Sequence, residues 1–241
     1  MNNPPSSFGD RVRAARNQLA KSYVNRRLQR RDFTIISDDC WAGRLYSDLR
    51  LKTHSPFISM GFTAREYLDF LCKMREPGAL DVLSVSSEER GYPIIQTRYA
   101  RLFGLHYSSD EEFRARYERR CKSILWDRLF IKIDFGNPKY RPEDLARWNE
   151  LKLPNSLAFY SPDCPFNGQY IHNGLLLPDW VPDGDRKFPL SIRRFDLFSW
   201  LNTGRIHCPL SYRIPQFLLV EKMFLPRCRD LVRSALRLRL S

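Results

Sequence analysis

The chain has 241 residues, of which 43% are hydrophobic and 13% aromatic, enough apolar surface to exclude disorder over its whole length. It contains no run of roughly 20 apolar residues that could span a membrane, and its polar first nine residues lack a signal-peptide pattern. We therefore expect a cytoplasmic protein. Six dispersed cysteines without a CxxC pair disfavour both a disulfide framework and a zinc cluster.

The net charge of +13 is concentrated at the two ends of the chain. Residues 11–31 contain eight basic residues and no acidic one, and 222–241 contain six basic and one acidic, whereas 32–221 carry 26 basic and 25 acidic residues. Basic helices of this kind bind anionic membrane surfaces, here the inner membrane face. The candidate membrane-contact residues are Arg13, Arg16, Arg27 and Arg30.

Two other interpretations of the basic ends remain open. Nucleic acid is disfavoured as a partner because the body of the chain is near neutral and carries no nucleic-acid-binding motif. Alternatively, the two terminal helices pack on each other or on the body and leave their arginines in solvent.

The N-terminal half predicts a basic amphipathic helix, capped by Asp10, and then a β-branched strand over 33–37. The apolar stripe of that helix is Val12, Ala15, Leu19, Tyr23 and Leu28. A helix over 43–49, a strand over 56–61 and a helix capped by Thr63 follow. Residues 81–92 predict a loop, and 93–98 and 102–107 predict strands.

The C-terminal half predicts a charged helix from Asp110, capped by Ser108 or Ser109, and then alternating strands and helices. These are a strand over 129–134, a helix over 142–151, a strand over 156–160, an irregular stretch over 161–190, and helices over 192–201 and 215–240. Strands that alternate with helices indicate an α/β fold with a mainly parallel sheet flanked by helices, and with basic terminal helices. We divide the chain into a lead and basic helix (1–31), an α/β core domain (32–160), and an irregular and helical part packed on the core (161–241).

The segment 33–49, FTIISDDCWAGRLYSDL, and the Ser55-Pro56 after it resemble the opening of a bacterial family known as domain of unknown function number 1919. That opening runs Phe-Thr-Ile-Ile-Ser, two Asn, Cys, a small or aromatic residue, then Gly, Tyr and a later Ser-Pro. Looser similarity at 105–108, 118–120 and 126–134 extends the resemblance over roughly residues 32–160. Family members are often labelled exopolysaccharide biosynthesis proteins, so the resemblance implies two unequal α/β parts and a surface-glycan context, without a mechanism.

Cys40, His106 and Asp134 each follow or end a predicted strand, so a parallel sheet can bring them to one edge. A cysteine nucleophile needs a base and a group that orients the base. We therefore take Cys40 as candidate nucleophile, His106 as base and Asp134 as orienting group in an acyl or glycosyl transfer. The alternative is a buried thiol, a core histidine and a turn carboxylate, and two aspartates beside Cys40 also oppose thiolate formation.

Asp38 and Asp39, which stand where the family has two Asn, offer a second candidate site, one for a metal ion. Adjacent carboxylates after a strand can hold Mg²⁺ or Mn²⁺ for a sugar-nucleotide diphosphate, although adjacent residues on an extended chain point apart. The alternative to a metal site is that one of the two aspartates caps the following helix and the other is solvated. The candidate substrate-binding residues are Asp38, Asp39, Trp41, Lys132, His172 and Asn173.

These observations favour a transferase of bacterial exopolysaccharide or surface-glycan biosynthesis, with a sugar or lipid-linked sugar as substrate. The alternative is a non-catalytic accessory or scaffold protein of a glycan-assembly complex at the membrane surface. An enzyme requires polar groups that converge in a cleft, whereas a scaffold does not.

Overall fold

The structure is a computed structural model that describes residues 8–87, 91–178, 181 and 184–208. The helices, in chain order, are α1 (Phe8–Arg27), α2 (Trp41–Leu49), α3 (Ala64–Lys73), α4 (Asp110–Cys121), α5 (Pro142–Leu151), α6 (Gly184–Ser191) and α7 (Leu197–Thr203). The strands are β1 (Thr34–Ser37), β2 (Ser84–Ser86), β3 (Ile94–Gln96), β4 (Arg101–Phe103), β5 (Leu129–Asp134), β6 (Ser156–Tyr160) and β7 (Gly174–Leu176). The helix predicted over 215–240 lies outside the described residues.

A four-stranded parallel sheet in the order β1-β5-β6-β7 forms the centre of the fold. All residues of β1 and β5 are buried, as expected for strands covered on both faces. Helices α3 and α5 contribute to the apolar cluster on one face, and α1, α2, α6 and α7 to the cluster on the other. The prediction of an α/β fold with a mainly parallel sheet flanked by helices is therefore confirmed.

A separate antiparallel sheet, β2-β3-β4, packs against the cluster that contains α3 and α5. Its first strand lies inside the stretch predicted as a loop, because β2 is short and polar and its partner β3 supplies the pairing. The strand predicted over 56–61 is wrong: these residues form a loop whose Phe57 and Met60 are buried in the core. The apolar side chains of this segment pack in the core, and the segment does not form a strand.

Helix α1 packs on the body through a stripe that only partly matches the predicted one, which Tyr23 and Leu28 share with it. Ala20, Val24 and, just beyond the helix, Leu28 are buried, whereas Leu19 is exposed. The helix also begins at Phe8, so Asp10 lies within it and does not precede it as a cap. None of the helices in the described ranges combines the length and apolar character needed to cross a membrane.

Two of the four candidate membrane-contact arginines face the protein. Arg16 is buried, and Arg27 donates to Asp196 Oδ2 at 2.6 Å while its guanidinium lies over the ring of Phe198. Asp196 also caps α7, so Arg27 fixes α1 to α7. Arg13 and Arg30 are exposed, and their membrane contact stays a prediction.

Gly184, the first residue of α6, lies directly against the chain between β1 and α2. A Cβ atom at this position would lie 2.6 Å from Trp41 N, 2.7 Å from Cys40 N and 2.9 Å from Asp39 Cγ. Two of these atoms belong to the backbone and cannot move without shifting a helix. The absence of a side chain at residue 184 therefore allows α6 to approach α2.

We expect Gly184→Ala to lower the free energy of unfolding by about 1–3 kcal/mol, because the added methyl overpacks a rigid contact. Urea unfolding followed by circular dichroism measures the change. Gly61→Ala is the matched control, since a Cβ atom there meets nothing within 4 Å and the residue has ordinary backbone angles. Equal midpoints for both variants would contradict the close contact.

Candidate functional site

Polar side chains from three parts of the chain meet at the carboxyl edge of the parallel sheet. Asp38 and Asp39 directly follow β1, Asp134 ends β5, and Lys132 lies two residues before that end. Ser37 pairs with Lys132 in the parallel register, so the two strands end side by side. Lys187 reaches the same edge from α6. This edge is where open α/β sheets bind ligands.

Lys132 bonds to both aspartates that follow β1. Its Nζ lies 3.0 Å from Asp38 Oδ1 and 2.7 Å from Asp39 Oδ2, and its side chain is fully buried. The hydroxyl of Tyr140 donates to Asp38 Oδ2 at 2.7 Å, and Lys139 Nζ lies 3.5 Å from the same oxygen. A buried ammonium group thus fixes the β1 carboxylates to β5.

Lys187 joins the third carboxylate to this cluster. Its Nζ lies 2.9 Å from Asp39 Oδ2 and also bonds to Asp134 Oδ2, and its side chain is 1% exposed. Three carboxylates and two ammonium groups therefore share one buried volume, with Lys139 at its border. We call Asp38, Asp39, Asp134, Lys132 and Lys187 the buried ion network.

The charges of the buried ion network shift the pKa values of its members in different directions. Burial by itself raises the pKa of Asp38, but the ammonium groups of Lys132 and Lys139 outweigh it, so the net shift is downward. The pKa of Asp39 is lowered in the same way by Lys132 and Lys187. The pKa of Asp134 is raised, because burial dominates over Lys132 and Lys187 and the other two carboxylates add to it. Asp38 and Asp39 are thus the carboxylates held ionised.

The aspartate pair does not fit the Mg²⁺ or Mn²⁺ site considered from the sequence. Asp38 Oδ1 accepts from Lys132 and Oδ2 from Tyr140, while Asp39 Oδ2 accepts from Lys132 and Lys187. Asp39 Oδ1 accepts from Ser37 Oγ and from Trp41 N, both at 3.0 Å. All four oxygens have protein donors, and the lysine ammonium groups supply the positive charge that a divalent ion would bring.

Cys40 and His106 form a contact pair beside the buried ion network. Cys40 Sγ lies 3.7 Å from His106 Nε2, a distance that allows a thiol–imidazole hydrogen bond in an unliganded site. His106 is exposed and Cys40 half-buried, so a substrate can reach both. Cys40 is also the residue that precedes α2, where the helix dipole favours negative charge.

A tight turn after β4 presents His106 to Cys40. Gly104 N donates to Pro93 O at 2.8 Å, and Tyr107 N donates to Gly104 O at 3.0 Å. A Cβ atom at Gly104 would lie 2.8 Å from the Phe113 ring, so glycine is needed there. Tyr107 is buried, and its hydroxyl donates to Ile58 O at 2.9 Å. The histidine therefore stands on an anchored turn.

Asp134 does not orient His106, and this part of the predicted triad is wrong. Within the described residues the only polar contact of the His106 ring is with Cys40 Sγ. Asp134 is buried and bonds to Lys187, and its Oδ1 accepts from Gly136 N at 3.1 Å. Asp134 is the last residue of β5, and its side chain lies on the face of the sheet that α6 covers. It therefore bonds to Lys187 of α6.

Two further predicted substrate contacts are structural. Trp41 is fully buried among Phe159, Phe188 and Trp200, and its Nε1 donates to Ser191 Oγ at 2.9 Å. Lys132 is equally inaccessible and neutralises the aspartates. Neither residue can touch a substrate. Asp38 is buried as well, whereas Asp39 keeps 17% of its side chain exposed.

His172 and Asn173 lie away from the Cys40–His106 pair, in the turn before β7. His172 N donates to Asn149 Oδ1 at 2.8 Å, and Asn173 Nδ2 donates to Ser156 Oγ at 3.0 Å, at the start of β6. Strands β5 and β6 separate this turn from the end of β1. The observed contacts hold the turn together apart from the Cys40–His106 pair, and contact of these two residues with a substrate stays a prediction.

Lys187, Tyr140 and Lys139 belong to the site and were missed by sequence reasoning. Lys187 lies in a stretch predicted as irregular, where a lysine is most often solvated. The sequence features that could have indicated burial of Lys187 are the neighbouring apolar Phe188 and the glycine at the start of the segment. Tyr140 carries no sequence signal, because only the turn after β5 directs its hydroxyl to Asp38.

We expect Lys132→Met to lower the free energy of unfolding by about 3–5 kcal/mol, because it leaves buried carboxylates without their cation. Chemical denaturation at neutral pH measures the loss. Lys122→Met, at an exposed position, is the matched control and should change stability by less than about 0.5 kcal/mol. Similar small losses in both variants would show that the network is not required for stability.

The comparisons with known proteins agree with the resemblance at 33–49. A family model described as "Domain of unknown function (DUF1919)" matches residues 11–202. An uncharacterised protein of Haemophilus influenzae is 22% identical over 204 residues, which cover 80% of this chain and 97% of the relative. The matched range contains β1, Cys40, His106 and Lys187. Because the match extends over most of its length, the chain belongs to the DUF1919 family.

Proposed function

We propose that the protein is a cysteine-dependent transferase of bacterial surface-glycan biosynthesis, and that it moves an acyl group onto a sugar or lipid-linked sugar. The observation that carries the proposal is the 3.7 Å contact between Cys40 Sγ and His106 Nε2 at an accessible sheet edge. The resemblance at 33–49 supplies the glycan context. Acyl transfer is preferred over glycosyl transfer because a thiolate attacks a carbonyl carbon readily and forms a thioester.

The first half-reaction loads the cysteine. His106 Nε2 accepts the proton of the Cys40 thiol, and the resulting thiolate attacks the carbonyl carbon of the acyl donor. The bond from the carbonyl carbon to the donor's leaving group breaks, and the leaving group takes the proton from His106. The products are an acyl thioester on Cys40 and the protonated leaving group.

The second half-reaction transfers the acyl group to the acceptor. A sugar hydroxyl attacks the thioester carbon and gives its proton to His106. The carbon–sulfur bond breaks, and the Cys40 sulfur regains the proton from His106. An ester of the sugar is formed, and the dyad returns to its starting state without any redox change.

The buried ion network supports this chemistry by removing a repulsion. Asp39 immediately precedes Cys40, and an uncompensated carboxylate there would oppose the thiolate. Lys132 and Lys187 bond to Asp39 and offset its charge. The carboxylates can therefore shape the turn between β1 and α2 without suppressing the nucleophile.

We expect the protein to gain one acetyl group on Cys40 when it is incubated with p-nitrophenyl acetate or acetyl-coenzyme A, as measured by intact mass and peptide mapping. Cys40→Ala should abolish the adduct. His106→Ala should slow its formation by about 10²–10⁴-fold, the contribution of a general base. Both variants should keep the wild-type melting temperature, because neither side chain is in the core.

Cys72→Ser is the control for non-specific acylation, since Cys72 is an exposed free thiol outside the dyad. It should acylate at the wild-type rate. Acylation of Cys40→Ala to the wild-type extent, or an unchanged rate in His106→Ala, would contradict the proposal. The non-catalytic accessory or scaffold function would then be favoured.

We also propose that the protein binds the inner membrane face through the exposed side of α1. The support is the number of exposed basic residues on and directly after α1, each worth about 1 kcal/mol near an anionic surface. These are Arg11, Arg13, Lys21 and Arg26, followed by Arg30 and Arg31 beyond the helix. A lipid-linked acceptor would be presented at this surface.

We expect the protein to co-sediment with phosphatidylserine-containing vesicles at low salt and to be released as salt rises, because the attraction is electrostatic. Vesicles of phosphatidylcholine alone are the control. Arg11→Gln combined with Arg13→Gln should reduce binding, since both residues are exposed on α1. Absence of binding to anionic vesicles at low salt would contradict the membrane proposal and leave the acyl-transfer proposal untouched.

A further inference from the structure

An open cleft between α3 and α5 has a volume of about 950 Å³. Four of its lining residues are cationic, namely Arg65, Lys139, Arg141 and Arg147, and two are acidic, Glu143 and Asp144. Residues 32–221 as a whole are close to neutral, with 26 basic and 25 acidic residues. An excess of positive charge within one concave surface therefore favours an anionic ligand.

Two of the four cations are available for a ligand. Within the described residues the guanidinium groups of Arg65 and Arg141 form no ion pair, although the backbone N of Arg141 donates to Asp144 Oδ2 at 2.9 Å, and both residues are exposed. By contrast, Arg147 bonds to Asp69 Oδ1 at 2.5 Å, and Lys139 lies 3.5 Å from Asp38 Oδ2. Guanidinium groups bind phosphate oxygens in a bidentate manner, so the arginine pair fits phosphate groups better than a lone carboxylate.

The size and the apolar walls of the cleft indicate more than an inorganic ion. Small-molecule sites have volumes of about 300–1,000 Å³, and this cleft lies near the upper limit. Phe62 and Phe103 line it together with Ala64. They offer apolar surface for the organic part of a phosphate-bearing ligand.

Both halves of the cysteine–histidine pair are connected to the walls of the cleft. Phe103 lines it, and His106 follows three residues later, a chain distance of at most about 11 Å. Lys139 also lines it and contacts Asp38, and Cys40 follows Asp38 by two residues, at most about 7 Å. The cleft and the cysteine–histidine pair are thus linked by two short segments of chain.

We infer that the cleft binds an organic diphosphate, with Arg65 and Arg141 on the phosphate oxygens and Phe62 and Phe103 against the organic group. The inference rests on the proposed function only in assigning this ligand the part of the sugar-bearing acceptor. The diphosphate carries either a nucleotide or a polyprenyl chain. Lys139 at the border of the buried ion network is the third cation that reaches it.

The test is isothermal titration of the full chain with inorganic pyrophosphate, uridine diphosphate and geranyl diphosphate at low salt. We expect Arg65→Gln or Arg141→Gln to weaken binding about tenfold each, the effect of losing one charged hydrogen bond. Arg119→Gln, an exposed arginine of α4 outside the cleft, is the matched control and should bind as the wild type does. Cys40→Ala should retain binding, so binding is measured independently of acylation.

The outcomes distinguish a nucleotide-linked from a lipid-linked ligand, and they distinguish failure of this inference from failure of the proposed acyl transfer. Tightest binding of uridine diphosphate assigns a nucleotide-linked ligand, and tightest binding of geranyl diphosphate assigns a lipid-linked one. Failure of all three compounds to bind overturns the inference, as does an equal loss in Arg119→Gln and Arg65→Gln. Either failure leaves the acylation of Cys40 as a separate result, so a negative binding experiment does not decide the proposed function.

Discussion

The bonds of two buried lysines to three aspartates determine how the carboxyl edge of the sheet is built. Lys132 on β5 fixes Asp38 and Asp39 after β1, and Lys187 fixes α6 to Asp39 and Asp134. Burying a carboxylate costs free energy unless the carboxylate is paired with a cation. The aspartates can therefore be buried here only because the lysines bond to them. The ends of two strands and the start of a helix are thereby held in one arrangement.

The same bonds explain how a thiol site can lie beside two carboxylates. From the sequence, Asp38 and Asp39 argue against a reactive Cys40. In the structure their charges are compensated by ammonium groups, and Gly184 lets α6 bring Lys187 close to the turn. The network therefore fixes the turn between β1 and α2 and also offsets the negative charge beside Cys40. The accessible contact at this edge is the one between Cys40 and His106.

The candidate site is assembled from both sheets. Cys40 follows the parallel sheet, whereas His106 stands on the turn after the antiparallel strand β4. The isolated bridge between Gly61 and Phe103 links the segment before α3 to β4, and Tyr107 contacts the same segment at Ile58. This link also sets the wall of the basic cleft that Phe62 and Phe103 share. The position of the small sheet thus controls both the dyad and the cleft.

The local pattern of residues determined most helices and strands of this protein. The helix over 142–151 and the strands over 129–134 and 156–160 are observed with the predicted bounds, because proline, caps and β-branched runs act on neighbouring residues. Cys40 and His106 meet as predicted but not for the predicted reason, because His106 follows β4 of the antiparallel sheet and not a strand of the parallel sheet.

Other features were decided only by the tertiary structure. Asp134 turns to Lys187 and not to His106, Trp41 enters the core, and His172 lies before β7. In each case the partner is remote in sequence, and the choice between solvent, core and ligand is made by what packs opposite. Sequence by itself determined most of the strands and helices of the parallel sheet, but not β7 and α6, which lie in a stretch predicted to be irregular. Only the tertiary structure determined how the charges are paired, through the register of β1 and β5 for Lys132 and the packing of α6 for Lys187, because burial makes pairing obligatory and proximity selects the partner.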